Sequence, residues 1–233
     1  MAVVSHYNIQ PVIDIFGAVQ GRDLGGVSKD ITRIIDQTRK NLPRGSQVVM
    51  RGQVQTMRTS YIGLLTGLAF AIILVYLLIV VNFQSWLDPF IIICALPAAL
   101  AGIAWLLFVT HTTLSVPALT GTIMCMGVAT SNSILVVRFA TEQMEAGKDP
   151  LAAALQAGFT RFRPVLMTAL AMIIGMMPMA LGMGDGGEEN APLGRAVIGG
   201  LLFATVATLF FVPTVYSILH GLRHRPAETS IQP

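Results

Sequence analysis

The segment from Pro117 to Ala140, PALTGTIMCMGVATSNSILVVRFA, decides the class of this chain. It is apolar at both ends and holds Thr130, Ser131, Asn132 and Ser133 in an unbroken row near its middle. A helix of about 20 residues crosses roughly 30 Å of hydrocarbon, so the segment is long enough to span a bilayer. Hydroxyl and amide groups are costly in lipid unless they face protein or water, which makes this polar patch a functional candidate.

The composition agrees with a membrane protein. Of 233 residues, 54% are apolar and only 12% charged, and the mean hydropathy is +0.69, beyond that of an ordinary soluble domain. The charges are unevenly spread. Residues 1–58 mix Lys, Arg, Asp and Glu, whereas from Tyr61 onward long apolar blocks alternate with short polar connectors. The net charge of +3 contains no basic run, so the chain is read as binding no nucleic acid. Cys94 and Cys125 lie inside apolar blocks without a CxxC or Cys/His partner. They read as small buried residues, not as a disulfide or a metal centre. Met1 to His6 lacks a basic stretch followed by an apolar one, so no signal peptide is expected.

Five segments are long and apolar enough to span: about 61–82, 89–110, 117–139, 164–183 and 195–219. None has an Asp, Glu or Lys in its interior. Pro97, Pro178 and Pro213 fall within spans, where neighbouring helices can satisfy the freed carbonyls. Gly63 and Gly67, Ala98, Ala99, Ala101 and Gly102, and Gly194, Gly199 and Gly200 are small residues suited to close helix packing. The fold class is therefore a mainly α membrane bundle, residues 59–220, with a tail at 221–233. The connector 140–163 carries Lys148, Arg161 and Arg163, and Arg138 precedes it. Its apolar Met144, Leu151, Ala152, Leu155 and Phe159 recur at roughly helical spacing, which predicts an amphipathic helix along the membrane surface. Arg223 and Arg225 follow the last span, whereas the opposite connectors have no Lys or Arg (111–116) or carry Asp185, Glu188 and Glu189 (184–194). The positive-inside bias places the connector 140–163 and the C-terminus in the cytoplasm, and residues 1–58 on the far side.

Residues 1–58 read as strand, helix, strand. Val12 to Phe16 and Gln47 to Met50 have strand character, and Val27, Ile31, Ile34, Ile35 and Leu42 have helical spacing, with Ser28 as the expected N-cap. One βαβ unit cannot supply a full core, so this α/β piece is expected to be incomplete.

Several motifs in order resemble the resistance–nodulation–division (RND) efflux permeases, in the hydrophobe/amphiphile branch that exports drugs. They are Phe83-Gln84-Ser85-Trp86 with Pro89 and Pro97, Gly127 through Asn132-Ser133-Ile134-Leu135, Arg161-Phe162-Arg163-Pro164-Val165-Leu166-Met167-Thr168, Gly175-Met176-Met177-Pro178, and Phe211-Val212-Pro213. The resemblance implies a C-terminal part of such a permease: the eighth to twelfth spans preceded by the last periplasmic βαβ piece, in the bacterial inner membrane. It implies a transporter, not an enzyme, with no cofactor and the proton gradient as energy source. It also implies a homotrimer in the lipid bilayer, working with an N-terminal half, a periplasmic adaptor protein and an outer-membrane channel.

In that family an aspartate pair in the N-terminal half carries the proton. The matching partners here are Asn132, with Thr130 and Ser131 beside it, and Arg161 and Thr168. Drug pumps of this branch place a lysine immediately before the asparagine, and here that position is Ser131, which cannot carry charge. Coupling is then expected to run through the absent aspartates with hydroxyls and water, with coupling to another ion and loss of coupling as the alternatives. For each residue a purely structural role stands beside this: a bond from Thr168 to its own backbone, headgroup snorkelling for Arg161, and interhelical hydrogen bonding for the patch. Met124, Met126, Met172, Met176, Met177 and Met179 raise a soft-metal path, against which packing filler is the plainer reading. The alternative to a transporter is a non-transporting or decayed relative of the superfamily.

Overall fold

The computed structural model describes residues 5–7, 9–20, 23–43, 45–184 and 187–223. Asp185, Arg225 and most of the expected tail lie outside the described residues, as do the side chains of Arg44 and Arg223. The chain divides into two compact units, residues 1–58 and 59–233.

In the first unit, β1 (Ser5–Tyr7) and β2 (Gln10–Val12) form an antiparallel pair with Ser5 opposite Val12 and Tyr7 opposite Gln10. Helix α1 spans Leu24–Thr38. Its N-cap is Asp23, whose carboxylate accepts the Gly26 N–H at 2.6 Å, not Ser28, which lies inside the helix and whose carbonyl receives the Thr32 hydroxyl at 2.7 Å. The helix thus starts one turn earlier than expected, running through Gly25-Gly26 because an acidic cap satisfies the first free N–H groups. The expected strands over 12–16 and 47–50 do not form beyond Val12. A strand exists only against a partner, and Ile13, Ile15 and Phe16 are each 92% exposed. The βαβ unit is replaced by a hairpin and a helix with no buried residue of its own.

In the second unit, five helical segments among the described residues are long and apolar enough to cross a membrane, which makes the fold mainly α. They are α2 (Gln53–Phe83), which begins in the first unit; α3 (Leu87–Ile93) with α4 (Leu96–Val109); α5 (Val116–Glu145); α6 (Pro150–Ala180); and α7 (Gly187–Val206) with α8 (Val212–Arg223). The second span breaks at Cys94-Ala95 because Pro97 lacks an N–H and its ring crowds the carbonyl four residues back. The fifth span widens into a π-turn over Ala207–Phe211, where the Val212 N–H reaches back to the Ala207 carbonyl, immediately before Pro213.

The connector 140–163 is not a separate surface helix. α5 continues to Glu145, and α6 runs unbroken from Pro150 through Pro164 to Ala180, capped by Asp149, which accepts the Leu151 N–H at 3.3 Å. The helical periodicity is real, but the packed side is Ala153, Ala154 and Ala157, while Leu151, Leu155 and Phe159 point outward. Small side chains let α6 approach the bundle closely along its whole first half.

The axis of the bundle is α7. Of the most apolar window of the fifth span 72% is buried, against 6% for the first span. Gly194, Gly199 and Gly200 and the alanines at 191, 196 and 204 line its buried surface. A Cβ on Gly199 would meet the Gly102 carbonyl oxygen at 2.6 Å, and one on Gly194 would meet the Ala180 backbone nitrogen at 2.7 Å. A Cβ on Gly121 of α5 would meet the Leu193 carbonyl oxygen at 2.7 Å. Three helices thus touch α7 through backbone.

Gly199→Ala is expected to destabilise the bundle by about 1–3 kcal/mol through overpacking, seen as a lower thermal midpoint in detergent. Gly63, where an added Cβ meets nothing within 4 Å, is the control. Gly63→Ala is expected to change stability by less than about 0.5 kcal/mol.

Candidate functional site

The polar patch sits halfway along α5, and a helix turns about 100° per residue, so its four side chains diverge. Ser133 is fully buried and its hydroxyl lies 2.9 Å from that of Thr208, in the π-turn of the fifth span. Thr130 is buried as well, but bonds its own backbone, the Met126 carbonyl, at 2.8 Å. Ser131 faces the opposite way, exposed, and makes no hydrogen bond to the described residues. Asn132 lies at the margin between buried and exposed.

Thr168 of α6 comes to Asn132. Its hydroxyl lies 3.5 Å from the Asn132 Oδ1, to which it can donate, and 3.0 Å from the Val165 carbonyl of its own helix. The two are neither tightly locked nor far apart, an arrangement in which a small shift of α5 against α6 changes the acceptor. Arg161 stands two turns, about 10 Å, along α6 from Thr168. Its guanidinium carbon is 4.9 Å from the centre of the Phe139 ring, and its Nε is buried without a hydrogen-bond partner among the described residues.

The structure therefore brings together Asn132 and Thr168 with Ser131 on the adjoining surface. Thr130 is turned into the packing, and Arg161 is held at the end of the bundle by an aromatic ring. The open face continues along α5 through Met124, Gly127, Ser131, Leu135 and Arg138, which are all exposed. A neutral polar pair on an open face can donate and accept hydrogen bonds but cannot itself carry a proton across the membrane.

Two features escape a reading of the sequence. Thr208 is a lone hydroxyl in an apolar run, and only the proximity of Pro213 hints that the helix is irregular there. Asp88 and His220 lie one residue outside the expected second and fifth spans, yet both are buried within the helices that form them.

Comparison with known proteins follows the same pattern. The model of the AcrB/AcrD/AcrF family matches residues 2–220. The multidrug resistance protein MdtC of Proteus mirabilis (strain HI4320) is 32% identical over 224 residues, 95% of this chain and 22% of that protein. The swarming motility protein SwrC of Bacillus subtilis (strain 168) is 34% identical over 218 residues, 93% of this chain and 20% of that protein. A crystal structure of a heavy metal efflux pump superposes with a TM-score of 0.74 at 29% identity, covering 87% of this chain and 20% of that one. The chain spans about a fifth of the length of the curated relatives it matches.

The buried Ser133–Thr208 bond is a measurable interhelical tie. Ser133→Ala and Thr208→Val are each expected to destabilise the bundle, and the double-mutant cycle to give a coupling of about 0.6–1.7 kcal/mol, the range of such bonds in membranes. A coupling indistinguishable from zero would mean that the two hydroxyls do not hold the helices together.

Proposed function

Because the chain belongs to the AcrB/AcrD/AcrF family of RND permeases, a family of transporters and not of enzymes, we propose that it is the C-terminal part of an inner-membrane efflux permease exporting drugs or other amphiphilic compounds by proton antiport. The observation that carries this reading is the Asn132–Thr168 pair on an open face of α5 and α6. Polar groups at membrane depth need protein or water beside them, and the described chain leaves Ser131 uncovered. An N-terminal half bearing intramembrane carboxylates would cover this face, with Asn132 and Thr168 as its hydrogen-bonding counterpart. Protonation of those carboxylates would change which acceptor Thr168 serves, moving α6 against α5.

The domain layout follows from that reading. Residues 1–58 form a partial periplasmic porter piece whose exposed Ile13, Ile15 and Phe16 would be covered by further chain. Residues 59–220 form the membrane bundle and the tail is cytoplasmic. The working assembly is a homotrimer with an adaptor protein and an outer-membrane channel. Arg161, over Phe139, is a structural anchor at the cytoplasmic end. Thr130, bonded to its own backbone, is not part of the relay.

A heavy-metal cargo is the second reading, favoured by the likeness to the crystal structure of a heavy metal efflux pump. Against it, Met126, Met172 and Met176 pack into the apolar clusters with Leu96, Ala99, Ile103 and Val197. Among the described residues there is no group of three or more His, Cys, Asp and Glu side chains able to hold a metal. Methionine filling gaps accounts for these residues.

The test is co-expression with an N-terminal half in an efflux-deficient host, reading dye accumulation. The wild-type pair is expected to lower accumulation in a protonophore-sensitive way, and this chain alone to do nothing. Asn132→Ala and Thr168→Ala are each expected to reduce efflux at least about tenfold, the scale of losing one hydrogen bond to a charged group. Thr168→Ser should retain most of it, and Ser131→Ala should cost less than either. Unchanged efflux in both alanine variants sinks the roles given to Asn132 and Thr168. Protection against copper or silver without any dye efflux would favour the metal cargo.

A further inference from the structure

The bundle contains a second polar cluster, remote from the Asn132–Thr168 pair. Asp88, in the first turn of α3, is 5% exposed, and His220, near the end of α8, is 7% exposed. The His220 Nε2 lies 3.4 Å from the Asp88 Oδ1. That oxygen has no hydrogen-bond partner among the described residues, so the imidazole is its nearest source of compensation. The other ring nitrogen, Nδ1, lies 3.3 Å from the Tyr216 carbonyl. The Tyr216 ring stacks on the imidazole with centroids 4.2 Å apart, and its hydroxyl reaches the Thr141 hydroxyl of α5 at 3.2 Å.

Both nitrogens of His220 therefore face acceptors. An imidazolium donates from Nδ1 to the Tyr216 carbonyl and sets its charge 3.4 Å from the Asp88 carboxylate, whereas a neutral ring supplies that carboxylate with no counter-charge. A buried carboxylate whose partner becomes neutral is left uncompensated, which disfavours the closed arrangement. We propose that Asp88 and His220 form a proton-operated latch that fastens the elbow between the first and second spans to the end of the fifth.

The elbow is built to respond. Gln84 adopts a positive φ of 50°, and the Ser85 hydroxyl accepts the Leu87 N–H at 3.3 Å. The first span, α2, contributes one buried residue, Ile79, with Leu68, Ile72, Val75 and Phe83 partly buried against the bundle. An exposed polar tie runs to it from Arg138 to the Asn82 Oδ1 at 3.3 Å. Protonated, the latch holds α3 against α8 and fixes the point from which α2 departs. Deprotonated, it frees that point.

The charged groups around the latch come from each packed element. α5 supplies Glu145, near its C-terminal end, and Arg138, which pairs with Glu142 at 3.5 Å. α6 supplies Arg161 over Phe139 and the exposed Arg163. Lys148, in the turn before α6, bonds Gln143 and Gln156. α8 itself continues to Arg223, and α2 carries no charge after Arg58. Histidine is the one side chain among these whose ordinary titration falls between about pH 5 and 8.

The latch is independent of the transport reading, and its test uses distance instead of efflux. Spin labels are placed at the exposed positions 86 and 222 by Trp86→Cys and Leu222→Cys, with Cys94 and Cys125 replaced by alanine, and the protein is reconstituted in lipid nanodiscs. Electron–electron resonance distances are compared at about pH 5 and about pH 8.5, the lower edge of the histidine range and a point beyond its upper edge. The expected result is one narrow distribution at the lower pH and loss of that narrow component at the higher. Asp88→Asn and His220→Gln are both expected to give the broad distribution at both pH values. A wild-type distribution that does not change with pH overturns the proposal. So does a pH response that persists in His220→Gln, which keeps the size of the side chain and removes its titration.

Discussion

The close approach of backbones along α7 is the constraint on which the rest of the bundle depends. Lipid tails are as apolar as leucine, so helices in a membrane gain little from hiding hydrophobic surface from one another. What holds them is dispersion contact at short range, and only small residues permit it. Gly102 against Gly199, Gly121 against Leu193 and Gly194 against Ala180 place α4, α5 and α6 around α7 at backbone distance. Once those contacts set the rotation of α5, the direction of every side chain on it follows. Ser133 must point inward to Thr208, so Ser131, two residues away and about 200° around the helix, must point outward. The open polar face is thus a consequence of the close glycine contact, Gly121 against Leu193, that seats α5 on α7.

The π-turn extends this logic to the last span. Pro213 cannot donate to the helix ladder, and the extra residue in the turn accommodates it while leaving the Thr208 hydroxyl free to meet Ser133. Past the turn, α8 presents Tyr216 to Thr141 of α5 and His220 to Asp88 of α3. A regular helix would rotate the residues after Thr208 by about 100° for the missing residue and separate these pairs. One irregularity therefore serves both ends: a hydroxyl tie in the middle of the bundle and a charged tie at its end.

How much of this can be read in the sequence depends on whether the signal is local. Span number and polarity are local, because a run of about 20 apolar residues is decided by its own composition. The patch at 130–133 and the kink near Pro97 are legible for the same reason. The helix over Pro150–Ala180 is not, since the periodicity of Leu151, Leu155 and Phe159 suggests a separate helix lying along the membrane surface, whereas the alanines opposite pack the helix into the bundle. Leucine is a poor guide to burial in lipid, where the outside is apolar too. The strands expected over 12–16 and 47–50 fail for a different reason: a strand is a property of two segments, and β propensity alone does not name the second. Asp88 and His220 escape because a charged residue near the end of an apolar run reads as its boundary, and only the fold reveals that the ends meet.

Around Asn132 the open face is neutral, since Arg138 lies about two turns further along α5 and is paired with Glu142, and this constrains what can lie against it. Ser131, Asn132 and Thr168 offer donors and acceptors but no cation, and Arg161 is two turns away with its guanidinium over an aromatic ring. Ionised carboxylates brought against this face would find hydrogen bonds without a counter-charge, and hydrogen bonds alone repay only part of the cost of burying an ion. Such carboxylates would therefore hold a proton more readily here than beside a lysine, and release it only when water enters. On the proposed efflux reading, this would put the coupling step at the hydration of the interface between the halves. The weakly held Thr168 hydroxyl, poised between Asn132 and its own backbone, is suited to follow that change.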